Sequence, residues 1–148
     1  MARPKPPPPI TASPDDVEHA LYDAMRQGDL ERLMELWADE DEICCVHPGG
    51  ERLLGANAIR ASFEAMFGNG TIDAEPQRVR RVEAHSTAVH SVVERIRVAT
   101  SEGERFAWAV ATNVYLKTAL GWRLVAHHAS PGTAEASIEA HEPASTLH

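Results

Sequence analysis

The stretch Gly121-Trp122-Arg123-Leu124-Val125-Ala126-His127-His128-Ala129-Ser130 decides how this chain is read. It opens on a turn glycine, carries mostly apolar residues, and closes on two histidines beside a serine, as one long strand would. Successive side chains on a strand point to opposite faces, so Trp122, Leu124, Ala126 and His128 share one face and His127 takes the other. An earlier short strand, Ile43 to His47, also ends in histidine, before Pro48-Gly49-Gly50. Two strands that both close on imidazole predict histidines gathered at one rim of a sheet, where a pocket would lie.

Strand patterning continues back from that stretch. Arg105 to Lys117 precedes it across a turn, Thr118 to Gly121, and Ala88 to Thr100 comes before a hairpin turn at Ser101-Glu102-Gly103-Glu104. Ala88, His90, Val92, Glu94, Ile96 and Val98 alternate onto one face. In Arg105 to Lys117, the bulky set Trp108, Val110, Thr112 and Val114 is read as packing on helices. The alanine-rich set, with Asn113 and Tyr115, is read as a smooth face for pairing two copies; the reverse assignment stays open. Thr71 to His85 is polar and Arg-rich with Pro76 near its start, which suits an edge strand.

The first half has helical spacing instead. Ser13-Pro14-Asp15-Asp16 is a helix start, because serine caps free N–H groups, proline tolerates the first position and acids suit the positive end of the dipole. Val17, Ala20, Leu21, Ala24 and Met25 recur at helical intervals, and Gly28 ends the run. Asp29 can cap a second helix with Leu30, Leu33, Leu36 and Trp37. Gly55 precedes a third, with Ile59, Ser62, Phe63, Met66 and Phe67 on one face and Gly68-Asn69-Gly70 at its end. Helices first and a strand meander after them predict an α+β fold, with the sheet curled over the third helix.

The chain has 148 residues, enough for one domain with a core. Residues 1–12 are proline-rich and read as a flexible arm, 13–131 as a pocket domain, and 132–148 as a loose tail. A net charge of −8 argues against nucleic acid, and Arg78, Arg80 and Arg81 are read as a solvated strand face. No segment approaches the roughly 20 apolar residues of a membrane span, and no signal-peptide core is seen near the start. Cys44 and Cys45 are adjacent, point to opposite faces if on a strand, and suit small buried residues in a reducing, cytoplasmic setting.

Three motifs carry a resemblance. Asp41-Glu42-Ile43-Cys44-Cys45-Val46-His47-Pro48-Gly49-Gly50, Leu54-Gly55-Ala56-Asn57-Ala58-Ile59, and Gly121-Trp122-Arg123 through His128-Ala129-Ser130 resemble SnoaL-like proteins of the nuclear transport factor 2-like superfamily, over residues 14–131. The resemblance implies a conical, strongly curved antiparallel sheet wrapped around N-terminal helices, a cavity at its wide end, and homodimers formed through sheet faces. The superfamily includes polyketide cyclases, ketosteroid isomerases, dehydratases and epoxide hydrolases. It also includes the association domain of calcium/calmodulin-dependent kinase II, a non-enzymatic oligomerisation module. Fold therefore leaves function open.

Glu94 is the leading candidate for chemistry. A carboxylate between Val92 and Ile96 on an apolar face is either paired by an Arg or His or raised in pKa, and the second case suits a general base. His47 and His128 are the candidate acid or oxyanion donors, beside the alternative that both are simply hydrogen-bonded in place. The expected pocket lining is Trp37, Cys45, Phe63, Trp108, Thr112 and Trp122, with Trp37 and Phe63 read first as core. His47, His128 and Glu94 match no local metal-ligand motif, and no metal or cofactor is expected. Ser130 lacks a nucleophile elbow, and the cysteines lack an activating base. An isomerase arrangement needs a suitably placed tyrosine, and neither Tyr22 nor Tyr115 is placed there by the sequence. The expected function is acid–base chemistry on a small apolar molecule bearing a carbonyl or hydroxyl. The rival is an assembly module without catalysis.

Overall fold

The computed structural model describes residues 11–133 and 140–141. Its elements run α1 (Pro14–Gln27), α2 (Leu30–Glu35), β1 (Cys44–Val46), β2 (Arg52–Leu54), α3 (Ala56–Gly68), β3 (Ala74–Glu83), β4 (Thr87–Thr100), β5 (Gly103–Thr118) and β6 (Gly121–Pro131). The helix signals act as the sequence predicts. Ser13 accepts a hydrogen bond from the Asp16 amide at the start of α1, and Gly28 ends it in the left-handed conformation. Asp29 caps α2 through the Arg32 amide. None of these helices is long and apolar enough to cross a membrane.

One curved, unclosed sheet runs in the order β2-β1-β6-β5-β4-β3. It is antiparallel throughout except where β1 lies parallel to β6. The three-residue strand β2 is too short to show a period and escapes sequence reading; only its pairing with β1 defines it. β3 is the edge strand its proline predicts, and a bulge between Gln77 and Arg80 irregularises it, with Arg78 at φ 42°.

One sequence expectation is extended and one corrected here. The concave face is covered by α1 as well as by α3, and from α1 Tyr22 and Glu18 reach β4 and β5. The third helix, α3, packs beside α2 and β2 and contributes Ile59 and Phe63 to the core from that side. The two faces of β5 are also the reverse of the first reading. Ala109, Ala111, Asn113 and Tyr115 are buried inward, whereas Thr112 is exposed and Trp108, Val110 and Val114 are half-buried on the outer side. The alanine-rich strand face is therefore not free to pair two copies.

Thr11, assigned by sequence to the arm, is docked: its carbonyl accepts from the Trp122 amide at 2.9 Å, and Arg123 donates to its hydroxyl. The rest of the arm and most of the tail lie outside the described residues.

Because α1 packs its apolar stripe into the core, Leu21→Ala, at a side chain 1% exposed, should cost about 2–5 kcal/mol in chemical denaturation. Leu120→Ala, at a side chain 78% exposed in the β5–β6 turn, should stay within about 0.5 kcal/mol.

Candidate functional site

Glu94 extends from β4 onto the concave face, as its alternation predicts, and is 4% exposed. Tyr22 of α1 donates its phenol proton to Glu94 Oε2 at 2.6 Å. Asn113 of β5 donates through Nδ2 to Tyr22 Oη at 3.3 Å, and its Oδ1 lies 2.5 Å from His127 Nδ1. With the amide nitrogen turned to the phenol, Asn113 presents only an acceptor to the imidazole, so His127 Nδ1 must carry the proton. The hydrogen bonds then run in one direction, His127 to Asn113 to Tyr22 to Glu94. His127 keeps Nε2 as a free lone pair.

The two ends of this relay, Glu94 and His127, meet a cavity of about 80 Å³ lined also by His47 and apolar side chains. Phe63 and Met66 of α3 form one wall, Met25 of α1 another, and Ile96 and Ala129 belong to β4 and β6. Parallel pairing of β1 with β6 sets Cys45 opposite His127, which brings His47, two residues on, to the same opening. The His47 ring meets Phe63 edge-on with centroids 5.0 Å apart.

Burial governs the proton affinities. It raises Glu94 above the usual carboxylate range, against the opposing Tyr22 hydrogen bond and with a further push from Glu18. It lowers His127 to about 4, aided by neighbouring His128, and lowers His47 as well. Both imidazoles are therefore neutral near pH 7. Tyr22 is raised well above its ordinary value, so its phenol stays a donor. The Cys45 thiol is pushed up to about 12 by burial, with Cys44 and Glu94 adding to it, which makes it a poor nucleophile.

The structure thus brings Glu94, His47 and Phe63 together at one cavity, with Cys45 on its border: its sulfur lies 3.9 Å from His47 Nε2. It does not bring His128, which is exposed, and His127 takes the place the sequence reserved for it. The cause is a bulge. Val114 pairs with Ala126 and Tyr115 with Leu124, so Val125 is an extra residue on β6 and every later side chain changes face. Trp37 and Trp122 belong to the core away from the cavity, and Trp108 and Thr112 lie on the outer face. Sequence reasoning missed His127, Asn113 and the part played by Tyr22. For Tyr22 a signal existed: Glu18 and Tyr22 are one helical turn apart, in the stripe of Val17, Leu21 and Met25.

The profile of the SnoaL-like domain matches residues 15–134. No curated protein matches the chain. Among solved structures, one from Thiobacillus denitrificans, described as a candidate calcium/calmodulin-dependent protein kinase type II association domain, is 32% identical. The alignment covers 84% of this chain and 99% of that one, with a TM-score of 0.76. A candidate dehydratase of the nuclear transport factor 2-like family from Streptomyces avermitilis is 31% identical over 80% of this chain and 93% of its own, at a TM-score of 0.72. A cystatin-like fold from Caulobacter vibrioides, 17% identical over 83% and 89% at a TM-score of 0.70, agrees in fold alone.

A histidine held neutral by burial destabilises the fold once acid protonates the unfolded chain. With His127 at about 4 folded, stability falls as pH drops from about 6.5 to about 4, by about 3 kcal/mol. Denaturation of His127→Gln across that window should lose this slope relative to wild type; an unchanged slope would place the titration elsewhere.

Proposed function

The chain belongs to the SnoaL-like family of the nuclear transport factor 2-like superfamily, and from that premise we propose that its cavity binds a small, mostly apolar molecule bearing a carbonyl or hydroxyl and moves a proton on it. The observation that carries this reading is a carboxyl with raised proton affinity facing the same cavity as two neutral imidazoles. A carboxyl poised nearer neutrality exchanges protons more readily than a free one. Glu94 is the group that takes or delivers the proton, with Tyr22 steadying its ionised form. His127 Nε2 accepts from a substrate hydroxyl, and His47 at the opening donates to a carbonyl oxygen as negative charge develops there. Dehydration or isomerisation next to a carbonyl is the reaction class, and none of these steps calls for a cofactor. The 31% identical candidate dehydratase is consistent with it.

The role of Glu94 is tested with Glu94→Gln, which preserves shape and an acceptor for Tyr22. Once a substrate is identified by mass spectrometry of co-purified ligand, kcat should fall about 10²- to 10⁴-fold with folding retained. Full turnover in the variant would sink the assignment.

A second reading, assembly without catalysis, is favoured by the 32% identical candidate association domain. Since Ala109, Ala111, Asn113 and Tyr115 of β5 are buried inward, pairing of two sheets would use the outer face carrying Trp108, Val110, Thr112 and Val114. The first reading is of a homodimer in the cytoplasm, whose reducing conditions suit the free thiols of Cys44 and Cys45. Sedimentation at micromolar concentration should show a dimer under the first reading and a larger ring under the second. A monomer would contradict both.

A further inference from the structure

A second buried polar cluster lies four residues earlier on both elements that form the first. His90 precedes Glu94 on β4, and Glu18 precedes Tyr22 on α1. The His90 side chain is 1% exposed. Its Nδ1 lies 2.7 Å from Glu18 Oε2, which also accepts from Tyr115 Oη at 3.0 Å. Glu18 thus holds the imidazole by one nitrogen, and the other, Nε2, is buried without a hydrogen-bond partner. Asp15 Oδ1 lies 3.9 Å from it.

That separation is too long for a hydrogen bond and suits an intervening ion. Tetrahedral zinc sits about 2.0–2.2 Å from imidazole nitrogen and carboxylate oxygen and so holds its ligands about 3.4 Å apart, a spacing that the half-exposed Asp15 side chain reaches by moving about 0.5 Å toward His90. Among the described residues, Asp15, Glu18 and His90 are the trio of potential ligands whose donor atoms all lie within 4.8 Å of one another. A carboxylate on the far nitrogen of a histidine orients the ring and strengthens it as a ligand. A nitrogen donor beside carboxylates selects zinc-like ions over magnesium or calcium. Asp15 is half-exposed, so its side of the position is the one on which water would complete the coordination.

We propose that His90 Nε2 and Asp15 bind a divalent transition-metal ion of the zinc class, with Glu18 holding the imidazole from behind. The ion staples the first turn of α1 to β4 and is separate from the Glu94 cavity. Arg81 competes for it, since its Nε donates to Asp15 Oδ1 at 2.8 Å.

The test is calorimetric titration of the chelator-treated, untagged chain with zinc chloride, alongside magnesium chloride. Wild type should bind one zinc equivalent at this site and show a raised Tm in its presence. His90→Gln should weaken that binding at least about tenfold, as should Glu18→Gln acting from behind the ring. Asp15→Asn, at an exposed side chain, should weaken it too, and Arg81→Gln, which frees Asp15, should strengthen it severalfold. His128→Gln should leave it unchanged, because exposed histidines can take up zinc adventitiously. Circular dichroism checks each fold; should His90→Gln unfold, Asp15→Asn and Arg81→Gln still decide. No zinc binding, equal affinity in Asp15→Asn and Arg81→Gln, or equal response to magnesium would overturn the proposal.

Discussion

Glu18 and Glu94 are withdrawn from water between α1 and the concave face of the sheet, and the rest of the structure is arranged around that constraint. A buried carboxylate is tolerated only when donors reach it, so each acid dictates its partners. Glu94 takes the Tyr22 phenol, and Glu18 takes Tyr115 and His90. These bonds cross from helix to strand and set both the rotation of α1 and its position along β4 and β5.

The same constraint prepares the cavity. Its walls are mostly apolar, so each polar group facing it has its proton affinity shifted against charge. Glu94 gains affinity and His127 and His47 lose it, which narrows the gap between acid and bases that would otherwise differ more widely. Asn113 links the two sides, because one amide can accept from His127 and donate to Tyr22. The protons of this chain are thereby ordered before any ligand arrives, the kind of preorganisation on which acid–base catalysis relies.

Much of the fold was legible because its signals are local. Caps at Ser13 and Asp29, the glycine stop at Gly28 and the alternation of β4 act over a few residues, and each appears where it was expected. Glu94 facing inward follows from that alternation alone. His127 was not legible. One extra residue at Val125 changes the face of everything after it, and a bulge depends on pairing with β5 rather than on β6's own residues. The assignment of faces on β5 failed for a related reason: which face is covered depends on which helix lies there.

By itself, then, the sequence determined the kinds and order of the elements other than β2, the family, and an acid on the inner face of β4, since these rest on short-range periodicity, capping and motif. Tertiary structure alone decided that α1 joins α3 over the concave face, that His127 replaces His128 beside Glu94, and that Glu18 meets His90. Those outcomes depend on strand register and helix seating, which join residues as far apart as Glu18 and Tyr115. No local pattern encodes such a pairing, because it is settled by how all the buried groups find partners at once.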